Sequence, residues 1–381
     1  MRRPDVPPKK TSGRLEGIDM ARAFAGIIMI QGHAYDGWAS PAAKETLGYA
    51  FTRVLGSLPL PAFLVLAGAA VAVRTHAATV RGETAQKVRR RVVRRGFEVM
   101  GWGYVVSAVY ALMDGHSGLD TFLRVDVLHV IGLSIAVLAL LGIRPVLGAK
   151  AVDAPPAPGR LAITASVVGV LTTAACPFVS GFGEYATSPL GYFVGLFVDV
   201  PGVTLMPFVP LVAWVSVGVL AAQSMLRARE NSGDTSPAGA PAKTLYRMAA
   251  LGIAFWVLGS LGTGALVDAL GDDFGGVLSR RHPAVWFNVL DLAGRGLVVL
   301  ALGALAANHV QGKVKGALLT IGRGSLVAYV FHIPFCYGAL GRPLSAKLDM
   351  FESTALVVVL IAVSWAAVWL RDAVRARATA R

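Results

Sequence analysis

Long apolar blocks recur along the whole of this 381-residue chain, and they restrict the folds that are open to it. Each block is about 17 to 25 residues long, which is the length that an α-helix needs to cross the hydrocarbon of a bilayer. Hydrophobic residues make up 55% of the chain and charged residues only 15%, whereas about one quarter of a soluble domain is charged. We therefore predict an all-α fold, a polytopic transmembrane helical bundle.

The apolar blocks and the charges between them predict ten spans with both termini in the cytoplasm. Most of the 36 Lys and Arg residues then lie in cytoplasmic segments, as the positive-inside rule requires. We predict a transmembrane domain over residues 16–372, between cytoplasmic tails at 1–15 and 373–381. The predicted spans are 18–37, 51–73, 96–113, 126–147, 160–180, 203–225, 247–267, 285–306, 316–338 and 353–370.

Three segments outside the spans have a composition of their own. The N-terminal stretch MRRPDVPPKKTSGR is basic and proline-rich, and no small-residue cleavage motif follows it, so we predict a retained cytoplasmic tail rather than a signal peptide. The inner loops at 150–160 and 227–243 are rich in Pro, Gly, Ser and Ala. This composition predicts flexible linkers.

The net charge of +14 does not indicate a nucleic-acid partner. The most basic stretch, KVRRRVVRR at 87–95, lies between two apolar spans, a position that favours topology determination and contact with anionic membrane lipid. The two cysteines, Cys176 and Cys336, are too few for a disulfide framework or a Cys-based metal site.

The first span carries ionisable side chains, which are costly in hydrocarbon. Its end reads QGHAYDGW and contains His33 and Asp36. Arg22 and His33 lie near one helical face, because eleven residues make almost three turns, and the rise between them is roughly 16 Å. In the predicted topology Arg22 is near the cytoplasm and His33 near the outer surface.

Two further spans bring histidines to the same outer level. In RVDVLHVIGLS, Asp126 and His129 are i and i+3, and in SLVAYVFHIPF, Tyr329 and His332 have the same spacing. We therefore predict a cluster near the outer surface, in which a carboxylate orients a neutral imidazole that acts as a base or nucleophile. The candidate catalytic residues are His33, Asp36, Asp126, His129 and His332.

Simpler explanations stand beside this cluster. A histidine near the headgroups is often an interfacial residue or an interhelical hydrogen-bond partner. In FNVLDLAGRG, Asp291 and Arg295 are i and i+4, and we interpret them as a structural ion pair. The histidines come from separate spans and have no local HxxxH pair, so we predict no metal.

Several stretches together resemble the heparan-alpha-glucosaminide N-acetyltransferase catalytic-domain family, among the multi-helix membrane acyltransferases. They run in order from about residue 14 to 338. The stretches are RLEGIDMARAFAGIIMIQGHAYDGW, PAFLVLAGAAVAV, DVLHVIGLSIAVL, MPFVPLVAWVSVGVLAA and GRGSLVAYVFHIP.

The resemblance implies a bundle of about ten or eleven helices that transfers acetyl groups from cytosolic acetyl-CoA to a sugar amine or hydroxyl across the membrane. It also implies that the first-span histidine, here His33, is essential. Asp19 and Arg22 match the family's acidic residue and arginine at the start of that span, and His332 matches the histidine after the Ser-Leu-x-x-Tyr stretch. We expect an enzyme of the bacterial inner membrane.

The cationic residues on the cytoplasmic side are chemically suited to the phosphates of coenzyme A. We expect Arg22, Arg90 and Arg94 to bind the acyl-CoA donor, while membrane lipid and a carbohydrate acceptor are the other partners. His33 is either a general base or a transient acetyl carrier. The competing classes are a transporter or proton-coupled permease and an inactive scaffold, and the oligomeric state is open.

Overall fold

The computed structural model describes residues 15–114, 122–145, 154–157, 159–180, 190–200, 202–271 and 282–379. These residues form fourteen α-helices and no β-strand, apart from three isolated bridges. The predicted all-α fold is confirmed for this part of the chain. The helices are α1 (Glu16–Trp38), α2 (Pro41–Lys44), α3 (Leu47–Gly56), α4 (Pro59–Val80), α5 (Ala85–Asp114), α6 (Val127–Gly142), α7 (Arg160–Val179), α8 (Leu190–Val194), α9 (Phe208–Ser232), α10 (Ala242–Leu270), α11 (Val285–His309), α12 (Gly312–Arg323), α13 (Ser325–Cys336) and α14 (Met350–Thr379).

Six helical segments within the described ranges are long and apolar enough to cross a membrane, by length and composition. They correspond to α3 with α4, α7, α9, α10, α11 and α14. A seventh span results if α12 and α13, which meet at an angle of 80°, are counted as one. The ninth predicted span, 316–338, is therefore broken in its first half, and ten spans remain a prediction.

The predicted spans 18–37, 96–113 and 126–147 do not meet this criterion of length and composition, and the sequence of each helix shows why. The 16-residue helix α6 rises only about 24 Å, which is short of a typical hydrocarbon core. The helix α1 carries acidic residues in its first turn, and α5 begins with a run of arginines. Both helices nevertheless pack inside the bundle and place charged groups there.

The centre of the bundle is formed by helices with small residues at their crossings. Between α4 and α9, a Cβ atom at Gly68 would collide with the backbone of Val215, and one at Gly218 with the backbone of Val65. In the most apolar stretch of α9, 72% of the residues are buried, and in that of α11 the buried share is 67%. In α7 and in α10 it is only 17%. The outer helices therefore present apolar side chains outward, as a lipid-facing layer does.

The loop after α9 is not the flexible linker that its composition predicts. Residues up to Ser232 continue α9, and Ala238 and Ala240 are completely buried. The backbone N–H of Gly17 donates to the Pro237 carbonyl at 3.1 Å, and that of Ala238 to Asn308 Oδ1 at 3.1 Å. The prediction of a flexible linker was wrong here, because buried alanines and backbone hydrogen bonds fix this loop beneath α1. In the other predicted linker, at 150–160, residues 150–153 and 158 lie outside the described residues.

The structure places Asp291 and Arg295 in a bidentate contact on α11. Arg295 Nε lies 2.6 Å from Asp291 Oδ1, and Arg295 Nη2 lies 2.8 Å from Oδ2. Arg295 Nη1 also donates to Ser57 Oγ at 2.6 Å, and its guanidinium lies 5.1 Å from the centre of the Trp256 ring. The pair therefore joins α11 to the segment before α4 and to α10.

We expect Asp291→Asn to lower the free energy of unfolding by about 3 kcal/mol, because removal of one member of a buried pair leaves the other charge uncompensated. Denaturation of the detergent-solubilised protein measures this loss. The matched control is Glu98→Gln, which breaks the exposed Arg94–Glu98 pair of the same i, i+4 spacing and should change stability little. Equal effects of the two substitutions would contradict a structural role for Asp291.

Candidate functional site

A cavity of about 610 Å³ lies among α1, α4, α5, α6, α12 and α13. Its wall is largely apolar, but charged side chains from almost every surrounding element reach it. The arginines in the wall are Arg22, Arg53, Arg74, Arg95, Arg124 and Arg323, and the acidic residues are Asp36 and Asp126.

The charged residues fall at two ends of this cavity. On α1, Arg22 and His33 both line the wall, and their separation of eleven positions gives a rise of about 16 Å. The wall residues of the neighbouring helices follow one another along the same line, from the level of Arg22 to the level of His33. We call the two groups the arginine end (Arg22, Arg74, Arg95 and Arg323) and the histidine end (His33, Asp36, Arg53, Tyr110, Arg124, Asp126 and Tyr337).

The histidine end contains a pair of imidazoles from α1 and α13. His33 Nδ1 lies 2.9 Å from His332 Nε2, and the two ring planes are inclined by 17° with their centres 5.1 Å apart. His33 lines the cavity, whereas His332 is fully buried behind it. His332 Nδ1 in turn lies 2.9 Å from the carbonyl oxygen of Ala328, one turn earlier on α13.

The Ala328 carbonyl determines the tautomers of both rings. A carbonyl only accepts hydrogen bonds, so His332 Nδ1 carries the proton, and in the neutral ring Nε2 is the acceptor. A neutral ring is the form that a fully buried position favours. His33 Nδ1 must then donate to His332 Nε2. The lone pair of His33 is consequently on Nε2. This basic nitrogen therefore belongs to a side chain that lines the cavity.

Close packing at the C-terminal end of α1 holds the two histidines together. A Cβ atom at Gly37, four residues after His33, would collide with the backbone carbonyl of Cys336, four residues after His332. Trp38 Nε1 donates to the Phe335 carbonyl at 2.9 Å. These contacts fix α1 against α13 one turn beyond the imidazole pair.

Asp36 lies beside the pair but forms hydrogen bonds with other groups. Its Oδ2 accepts a hydrogen bond of 3.0 Å from the Tyr337 hydroxyl, and its Oδ1 lies 3.5 Å from Arg53. The Tyr337 ring is 5.4 Å from that of His33. The sequence predicted that Asp36 or Asp126 orients His33, but in the structure the hydrogen-bond partner of His33 Nδ1 is His332.

Asp126 and His129 form the N-terminal cap of α6. Asp126 Oδ1 accepts a hydrogen bond of 2.9 Å from the Leu128 N–H, and His129 Nδ1 lies 3.1 Å from both the backbone nitrogen and Oδ1 of Asp126. His129 is fully buried against the Tyr104 ring, at 4.4 Å between centres, and does not line the cavity. This geometry places Asp126 in the wall but gives His129 a role in the start of the helix.

At the arginine end, two of the four arginines lie close to a buried carboxylate. Asp19, only 2% exposed, lies 3.5 Å from Arg22 and 3.8 Å from Arg323. Arg22 Nη2 also donates to the Leu66 carbonyl at 3.3 Å. Asp19 thus joins an arginine of α1 to one of α12.

On α5, Arg95 lines the cavity together with Val92 and Val99, which are one turn away on either side. Arg90 and Arg94, the residues predicted from the sequence, are exposed and do not line it. Arg94 and Arg95 both contact Glu98, at 2.9 and 3.3 Å.

Two more cations near this end are paired with Glu83 in the loop before α5. Arg81 and Arg91 lie 2.8 and 2.9 Å from its carboxylate oxygens. The hydrogen bond from Arg81, followed by the charge and hydrogen bond of Arg91, holds the pKa of Glu83 below its ordinary value. Glu83 therefore stays ionised at neutral pH and keeps both arginines engaged outside the cavity.

Both cysteines are buried, and no disulfide joins them. Within the described ranges no three His, Cys, Asp or Glu side chains gather as a metal site would need.

Apolar helices enclosing a charged cavity with a histidine pair at one end define a helical membrane protein with a candidate site for base or acyl-transfer chemistry. The model of the heparan-alpha-glucosaminide N-acetyltransferase catalytic family matches residues 14–258, which is more than half of the chain. The chain belongs to this family, so the predicted family is confirmed. A comparison with curated proteins found no match.

The family indicates a membrane acetyltransferase, and the apolar helices agree with an integral membrane protein. The matched range ends before the region that the sequence resemblance was expected to reach. It contains His33 and three of the four residues of the arginine end, whereas His332, Arg323 and Tyr337 lie after it. These last three are connected to the site by the geometry described above.

Proposed function

We propose that this protein transfers an acetyl group from cytosolic acetyl-CoA to a sugar or glycan acceptor on the far side of the membrane. The observation that carries the proposal is one continuous cavity with arginines at one end and the lone pair of His33 at the other. Donor and acceptor would then meet inside the bundle, and only the acetyl group would pass from one side to the other.

The arginine end suits the phosphates of coenzyme A. Guanidinium groups bind phosphate oxygens through paired N–H donors, and Arg22, Arg74, Arg95 and Arg323 come from four different helices. Asp19 would keep Arg22 and Arg323 in position before the donor arrives. The pantetheine arm would extend along the apolar wall and bring the thioester to His33.

The tautomer of His33 supports two reaction sequences. As a general base, Nε2 takes the proton of the acceptor hydroxyl or amine, the acceptor attacks the thioester carbonyl, and the C–S bond breaks. The departing thiolate then takes the proton from the imidazolium. As a carrier, Nε2 attacks the carbonyl itself, and the C–S bond breaks as the thiolate leaves. The acceptor then attacks the acetyl-imidazole, the bond between Nε2 and the acetyl carbon breaks, and the proton of the acceptor goes to the thiolate.

Acid quenching distinguishes these sequences. Protein mixed with radiolabelled acetyl-CoA without acceptor should retain label if His33 is a carrier, and should retain none if it is a base.

The proposal includes a topology of ten spans with both termini in the cytoplasm, residues 16–372 as the catalytic unit, and a bacterial inner membrane as its location. The charge distribution supports the orientation, because the arginine end then faces the cytoplasm, where acetyl-CoA is made. The histidine end faces the outer side, where glycan acceptors are found.

The donor site yields a prediction with a control on the same helix. We expect Arg95→Gln to raise the KM for acetyl-CoA at least about tenfold with a smaller change in kcat, because one charge-assisted hydrogen bond to phosphate is lost. Arg94→Gln removes the neighbouring charge, which also contacts Glu98 but does not line the cavity, and should leave the KM nearly unchanged. Equal effects of the two substitutions would place the donor elsewhere.

Binding of acetyl-CoA to the detergent-solubilised protein separates this proposal from the permease alternative. An acetyltransferase should be stabilised against thermal unfolding by acetyl-CoA, in a manner that depends on Arg95. A permease or an inactive scaffold should show no such stabilisation and no turnover.

A further inference from the structure

Arg124 occupies a fixed position at the histidine end of the cavity. It precedes Val125, whose N–H donates to the Val203 carbonyl at 2.9 Å and whose carbonyl accepts from Leu205 at 2.9 Å. These two backbone hydrogen bonds hold the segment before α6. The Arg124 side chain is half-buried and lines the same cavity as His33.

The Arg124 guanidinium lies over the face of an aromatic ring. It lies 6.0 Å from the centre of the Tyr110 ring. Within the described part of the chain, the ion pairs of the nearby carboxylates are made with Arg53 and His129 rather than with Arg124. A half-buried cation without a counter-charge is costly, and an anionic ligand would remove that cost.

The two carboxylates at this end are engaged by other groups. Asp36 contacts Arg53 and the Tyr337 hydroxyl. Asp126, although adjacent in sequence, accepts its hydrogen bond from the first turn of α6 and contacts His129. Among the described residues, neither of these carboxylates forms an ion pair with Arg124.

We propose that Arg124 is an anion subsite for the acceptor, which therefore carries a carboxylate or phosphate group near the hydroxyl or amine that is acetylated. This inference rests on the proposed function and specifies its substrate class. The planar guanidinium fork binds either anion through two parallel hydrogen bonds. The Tyr110 ring behind it would keep the fork directed into the cavity.

Matched sugars test the subsite without knowledge of the full acceptor. Glucose, glucuronate and glucose 6-phosphate share a ring and differ in the anionic group. We expect glucuronate or glucose 6-phosphate, but not glucose, to stabilise the delipidated, detergent-solubilised protein against thermal unfolding. Binding should weaken about tenfold or more in Arg124→Gln. The exposed Arg90→Gln should behave as the unmodified protein does.

Two outcomes would overturn the subsite. One is equal stabilisation by the charged and neutral sugars, or none by any of them. The other is stabilisation that Arg124→Gln leaves intact. A lipid headgroup is the other source of an anion, so the unmodified and Arg124→Gln proteins are also compared in nanodiscs of phosphatidylglycerol and phosphatidylcholine. An Arg124-dependent effect of phosphatidylglycerol without an effect of the charged sugars would assign Arg124 to lipid and contradict the proposal.

Acetyl-CoA binding in the same preparations keeps the two proposals separate. Arg124→Gln should leave stabilisation by acetyl-CoA unchanged, because the arginine end is at the opposite end of the cavity. If acetyl-CoA stabilises the protein and the charged sugars do not, only the subsite fails. If acetyl-CoA itself has no effect, the proposed function fails.

Discussion

Replacing His33 by glutamine is expected to lower acetyl transfer by about a thousandfold. The side chain of glutamine fills similar space but has no lone pair that is basic at neutral pH, so neither general-base catalysis nor acyl transfer through the imidazole is possible. The measurement is the rate of label transfer from acetyl-CoA by purified protein. Acetyl-CoA binding should persist, because the arginine end is about 16 Å away along α1.

The control for this loss is His309→Gln, which changes an exposed histidine at the end of α11. It should retain full activity, and both variants should unfold at nearly the same temperature. Activity close to that of the unmodified protein in His33→Gln would remove His33 from the reaction.

The second large effect is expected at His332, which we interpret as a positioning residue. In His332→Ala the His33 Nδ1–H loses its acceptor, and the ring is free to adopt the tautomer in which Nε2 is protonated. A wrong tautomer is very costly in hydrolases that use a histidine base, so we expect kcat to fall about a hundredfold. The KM for acetyl-CoA should change little.

His332→Gln separates positioning from packing. The glutamine carbonyl oxygen is able to accept the His33 Nδ1–H from nearly the same place as His332 Nε2, so we expect about tenfold recovery of kcat relative to His332→Ala. A merely structural role predicts a different pattern, in which thermal stability falls in both variants while kcat stays unchanged.

The sequence was sufficient to predict both histidines but not their pairing. His33 and His332 each lie in or at the end of an apolar run, and the loop charges predict that both are near the outer surface. They are separated by 299 residues, and only the close approach of α1 and α13 at Gly37 brings the rings together. Contacts of this kind depend on tertiary packing, which hydrophobic periodicity does not encode.

Local chemistry explains the other differences at the site. Asp126 and His129 have the spacing of a catalytic pair, but the same spacing, at the start of an apolar helix, is also that of a capping box. In the basic run of α5, the prediction did not take into account where each arginine lies relative to the apolar face of the helix. Arg95 is three and four residues from Val92 and Val99, the apolar positions that line the cavity.

Helix ends also limited the prediction of the spans. The second predicted span, 51–73, is interrupted before Pro59, which begins α4 at a position where proline is favoured. Its first part, α3, has Arg53 in its last turn and exposes Leu47 and Phe51 on its surface. A hydropathy window averages over such a break, as it also does over the bend between α12 and α13.

Delivery of the acetyl group through the cavity is tested most directly with sealed native membrane vesicles of defined orientation and radiolabelled acetyl-CoA, which does not cross the membrane. We expect label to reach the acceptor when acetyl-CoA is supplied to the cytoplasmic face of inside-out vesicles, and the acetylated acceptor to be recovered from the opposite side. Vesicles that contain His33→Gln should show no such transfer. Label that appears on acceptors at the same face as the donor, or transfer that persists in His33→Gln, would contradict delivery through the cavity.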